Sequence, residues 1–166
     1  MKLLATLALS LAAASTSATD LTAAPPYGVD LTALLAPLWK NPNAANVVPQ
    51  TVAPNLETVM NSTSITVSGI PNFAPVTFTG SKTNGNGKTS LDTWTGTSGT
   101  YKATLWRSGV GLSGDIEMGD QLVRVVRFNA QGHGAYVVWK PPSARTSLIG
   151  GELPNGDGHL DPPIGK

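Results

Sequence analysis

From residue 64 to residue 140 polar and apolar side chains alternate with a period of two, and turn residues interrupt the alternation at short intervals. A period of two marks strands that bury one face, and turns this close together leave room for hairpins but not for crossover helices. The pattern predicts strands near 64–69, 74–79, 89–95, 100–107, 111–118, 121–128 and 134–140. The expected fold is therefore all-β: a single antiparallel β-sandwich or small barrel of about 6–7 strands.

Two details set its register. Gly119-Asp120 reads as a two-residue hairpin turn, because Gly takes the positive φ such turns require. Met118 then faces Gln121, and Asp115 stands opposite Arg124 as a structural ion pair, a cross-strand contact worth ~0.2–1 kcal/mol. The run Leu122-Val123-Arg124-Val125-Val126-Arg127-Phe128 is apolar on both faces, as is Gly134-Ala135-Tyr136-Val137-Val138-Trp139. The pattern places these two strands side by side in the middle of the sheet, joined by 129–133.

The flanks differ in texture. Residues 19–60 form a Pro-rich lead-in to the β domain of residues 61–140. Within it, Leu31, Leu34, Leu35 and Leu38 fall at helical spacing, with Asp30 as the N-cap and Pro37 ending or kinking the run after about two turns, which predicts one short N-terminal helix over 30–39. Pro42, Pro49 and Pro54 make the following stretch read as an extended connection. After Pro141-Pro142, residues 141–166 are rich in Pro and Gly, and an irregular C-terminal tail is expected.

Residues 1–18 have the order of a secretory signal peptide. Lys2 is followed by an apolar run from Leu3 to Ala14, and small residues surround the expected cut after Ala18. The run is shorter than the roughly 18–20 residues of a membrane span, and no later segment is apolar enough to cross a bilayer. Removing the leader leaves about 148 of the 166 residues, enough for one domain with a real core. It also removes Lys2, one of 11 basic residues set against 10 acidic ones, so the mature chain is formally neutral. Clustered Lys and Arg are what nucleic acid demands, and a neutral chain lacks them. The same balance argues against a polybasic membrane-surface role. There is no cysteine, so neither disulfides nor thiol chemistry enter. Localisation is expected to be secreted or periplasmic.

The motifs that could carry chemistry are few. Residues 80–90 brush against a phosphate-binding loop, but Lys82 stands where the first Gly belongs, and a hairpin turn is the better reading. Asn155, Asp157 and Asp161 alternate like the oxygen ligands of a calcium loop, yet the carboxylates at both ends of such a loop are missing. Calcium is the one cofactor this raises, and none is otherwise implied. His133 and His159 are the only histidines, with no Gly-x-Ser-x-Gly elbow to accompany a hydrolase reading. Paired acids for glycoside cleavage would come from Asp92, Asp115, Glu117 or Asp120. Asn61-Ser62-Thr63 is a glycosylation sequon in a eukaryotic host. The aromatics are more suggestive. Trp94 shares a strand face with Asp92, and Trp106 shares one with Lys102 and Thr104; an indole on a polar face can stack against a sugar ring. The expectation is an exported, non-catalytic β-domain protein acting as a binding or structural module, its partner a glycan or envelope component. The alternatives are a carbohydrate-binding module built on those two indoles, and a secreted hydrolase.

Overall fold

The computed structural model describes residues 17–24, 30–86 and 91–142. In chain order the elements are β1 (Thr19–Asp20), β2 (Thr22–Ala23), α1 (Thr32–Trp39), β3 (Ala44–Val52), α2 (Leu56–Asn61) and β4 (Ser64–Val67). There follow β5 (Val76–Thr83), β6 (Asp92–Ser98), β7 (Tyr101–Ser108), β8 (Gly111–Met118), β9 (Gln121–Arg127) and β10 (His133–Trp139).

The protein is all-β, but the ten strands among the described residues exceed the six or seven expected. They form one sheet in the order β1-β4-β5-β6-β7-β8-β9-β10-β3-β2. Strands β4 to β10 follow one another as antiparallel neighbours, and β3 adds to the far side of β10. The two ends of this run meet through β1 and β2, which are separated in the chain by Leu21 alone. β1 lies parallel to β4 and β2 antiparallel to β3, so a single five-residue segment spans both edges and rolls the sheet into a nearly closed barrel. The backbone of Leu21 makes the junction. Its N–H donates to Thr66 O at 2.8 Å, and its carbonyl accepts from Ala53 N at 2.6 Å. Its side chain is fully buried, a gain of about 1.5–3 kcal/mol.

The expected extended connection after the helix is in fact the nine-residue strand β3. Pro49 misled the pattern, because proline usually argues against a strand. Here it is harmless. Val52 N bonds Gly132 O on the β10 side, so by alternation the missing N–H of Pro49 faces the other edge.

Inside the barrel the alternating residues form one cluster that includes Phe78, Trp94, Leu105, Ile116, Val125 and Tyr136. Helix α2 closes one end by adding Leu56, Val59 and Met60 to the same cluster. It is fixed there by its Asn55 cap, which accepts from Thr58 N at 3.1 Å, and by an ion pair from Glu57 to Arg107. The indole of Trp94 donates to Ser62 O at 2.7 Å, so the largest interior side chain is also hydrogen-bonded. It fits because its neighbour has no side chain. A Cβ on Gly96 would stand 2.3 Å from the Trp94 ring.

On the outside, α1 covers β10 and β3. Leu31, Leu35 and Leu38 pack with Ala135 and Val137, and with partly buried Val47, Phe128 and Trp139. This second small core explains why β10 is apolar on both faces. Leu34 turns away and is 39% exposed. Asp30 lies one residue before the N-cap rather than at it, and its carboxylate accepts from Thr32 N at 2.9 Å. Hydrogen bonding from the Thr32 side chain, and after it from the Thr32 backbone, holds its carboxyl below the usual range. Elsewhere the outer face is hydroxyl-rich. Thr79, Ser81 and Thr83 on β5 stand opposite Thr97, Thr95 and Thr93 on β6, and Thr77 opposite Thr66 on β4, which is how a chain with 13% charged residues presents a polar surface.

Tyr136 reaches from β10 to the closing segment, where its hydroxyl donates to Thr22 Oγ1 at 3.2 Å. Burial pushes its phenol well above the ordinary tyrosine value, the Thr22 bond opposing only in part. The folded chain therefore keeps a proton that the unfolded chain loses. This stability is complete below pH ~10 and declines above it, by about 1.4 kcal/mol per pH unit. Urea unfolding from about pH 9 to 11 should show the decline, and Tyr136→Phe should remove one proton's worth of it.

Candidate functional site

The barrel interior is filled with side chains, so the outer surface is where a ligand can sit. Strands β7, β8 and β9 carry an open groove of about 500 Å³ on that surface. The volume lies within the 300–1,000 Å³ common for small-molecule sites. Its lining comes from outward positions that the register sets side by side. Trp106 and Thr104 stand on β7, Asp115 and Glu117 on β8, and Leu122 on β9, with Asp120 in the β8–β9 turn. That turn is tight because Gly119 adopts φ +68°. Gln121 and Pro142 complete the rim, and Gln121 Nε2 is tied to Trp139 O at 2.8 Å.

The three carboxylates of the groove have different duties. Asp115 is held by Arg124, which donates from Nε and Nη2 to its two oxygens at 2.8 and 2.9 Å. The guanidinium is buried and also lies 6.0 Å from the centre of the Trp139 ring, in cation–π contact. This fork is well desolvated on the arginine side, and it braces β8 against β9 and β10. Glu117 and Asp120 are exposed and free to accept from a ligand. Lys102 is exposed on β7 directly across from Glu117.

The remaining candidates fall elsewhere. Trp94 is fully buried inside the barrel, paired in register with Leu105 while Trp106 points outward one position further along β7. A platform of two coplanar indoles is therefore absent. The reason is packing: the ring fills the barrel over Gly96, and the threonines of β6 take the outside. Asp92 shares the parity of Trp94 but sits where β6 begins, at the other end of the barrel from the β8–β9 turn. Lys82 Nζ is 3.1 Å from its Oδ2, and its Oδ1 accepts from Gly85 N at 2.9 Å. The Gly85 bond, with Lys82 beside it, lowers its carboxyl below the usual range. It organises the loop after β5. His133, expected in the 129–133 connection, opens β10 and is half-buried, with Nδ1 3.1 Å from Asn129 Nδ2. Among the described residues no group of three or more His, Cys, Asp and Glu side chains could hold a metal. The expected calcium ligands Asn155, Asp157 and Asp161 lie outside the described residues, as do His159 and residues 1–16.

Sequence reasoning found Trp106, Asp115, Glu117 and Asp120 separately. It had no signal for Gln121, Leu122 and Pro142, which join them only through the hairpin and the end of β10. No protein-family model matches this chain, and no similarity to a curated protein or to a solved structure was found.

Replacing Asp115 with Asn leaves the buried Arg124 with a neutral partner. The expected loss is about 1.5–3 kcal/mol, the range for hydrogen bonds to a charged group, read as a lower urea midpoint. Asp115→Leu combined with Arg124→Met, which removes both charges of the pair, should lose less than Asp115→Asn alone.

Proposed function

We propose that this chain is an exported, non-catalytic binding module whose ligand is a carbohydrate seated in the groove beside Trp106. The observation that carries the reading is the combination in one groove of an outward, half-buried indole with free carboxylates and a hydroxyl. A flat apolar ring covers the C–H face of a pyranose, while Glu117, Asp120 and Thr104 accept from its hydroxyls. The single indole makes this a one-ring platform, narrower than the paired platform read from the sequence. The non-catalytic part rests on chemistry. Of the groups a hydrolase would recruit, Asp115 is engaged by Arg124 and His133 is hydrogen-bonded to the Asn129 amide.

The export reading rests on the leader in residues 1–18. Its expected cut after Ala18 falls directly before Thr19, the first residue of β1, so processing there would leave every barrel strand in the mature chain. Export is tested by the mass of the mature protein, which should begin at Thr19. The ligand reading is tested on a glycan array. The wild-type chain should bind at least one glycan, Trp106→Ala should lose at least tenfold of that affinity, and Trp39→Ala, at an exposed indole on α1, should keep it. Binding that survives in Trp106→Ala overturns the groove, and a silent array for the wild-type chain overturns the carbohydrate.

A further inference from the structure

We propose that the slit between β3 and β4 is a strand-binding site, and that it takes residues 19–23 of a second copy of this chain in exchange for its own, joining two barrels through their closing strands. The two edges of the slit do not pair with each other in the sheet. Among the described residues each meets the short segment that runs between them, so the segment behaves as an extended peptide ligand held by β-augmentation on both sides. The slit reads it at three side chains. Thr19 Oγ1 accepts from Ser62 Oγ at 2.6 Å. Leu21 is fully buried in the barrel core. Thr22 Oγ1 donates to Ser68 O at 3.2 Å and accepts from the Tyr136 hydroxyl.

The partner follows from where these contacts lie in the chain. The side-chain bonds of the segment reach groups 43, 46 and 114 positions away. Its backbone bonds reach Thr66 and Ala53. None of them depends on the segment being joined to the barrel it closes. A second copy therefore offers the same Thr-x-Leu-Thr sequence and restores each bond and the burial of Leu21. Exchange of an identical element leaves the contacts unchanged and shifts the balance to protein concentration. While the segment is away, β3 and β4 present unpaired edges, which favours capture of another strand over staying open.

The absence of cysteine in the chain makes a clean test possible. Asp20 and Thr66 are register partners on β1 and β4, and both reach the surface. Adjacent strands bring such partners within disulfide range. One version carries Asp20→Cys and another carries Thr66→Cys; the two are mixed at a series of concentrations and oxidised. The expected product is a mixed disulfide of double mass, above the background of either version alone, with a yield that rises with concentration. Sedimentation of the unsubstituted chain should show a dimer over the same range. A chain that sediments as a monomer at every concentration up to its solubility limit overturns the proposal. So does a dimer that forms without the mixed disulfide, because its interface then lies elsewhere.

Discussion

Leu21 holds the barrel shut. An open sheet of eight antiparallel strands would leave β3 and β4 with bare edges, the usual route to unwanted pairing. Here one residue gives its N–H to one edge and its carbonyl to the other, and drops its side chain into the core between them. The arrangement needs a kink, since β1 follows β4 and β2 follows β3. Tyr136 and Thr22 reinforce the junction from inside, and Ser62 meets Thr19 at its start. A protein without disulfides closes its sheet with hydrogen bonds and one buried leucine.

That closure divides the molecule by function. Trp94, Phe78 and Tyr136 fill the interior, and α2 seals one end with Val59 and Met60. The barrel is thus a packed scaffold and not a container, and ligand chemistry moves to its outer wall. The wall itself is uneven. Threonines cover β5 and β6, α1 covers β10, and between them β7 to β9 leave a groove with one indole and three acids. Arg124 stiffens this part by gripping Asp115 in the plane of one face while lying against Trp139.

The middle of the fold was legible in the chain because its information is local. In β8 and β9 the turn at Gly119 sets the register, and the alternation then places Asp115 opposite Arg124 without any long-range knowledge. β3 was not legible: Pro49 within it and Pro42 and Pro54 beside it mask its apolar residues, and its place beside β10 comes from a contact between distant parts of the chain. β1 and β2 are too short to carry any period. The indoles failed for a subtler reason. Alternation tells which residues share a face but not which face is inside, and on β6 both faces look polar, Asp92-Trp94-Gly96 against Thr93-Thr95-Thr97. Curvature settled the matter, because the inner wall of a small barrel must mix one large ring with glycine.

The sequence by itself determined an all-β chain, the register of its β8–β9 hairpin, a short helix before it and a nearly balanced charge. These follow from period, turn chemistry and charge, all short-range properties. Only the tertiary structure decided that the sheet closes, that Trp94 faces inward while Trp106 faces out, and that Trp106, Glu117, Asp120 and Pro142 share one groove. Each of these depends on which strand edges meet. That is set by the total volume the interior can hold and by a five-residue segment whose partners lie tens of residues away.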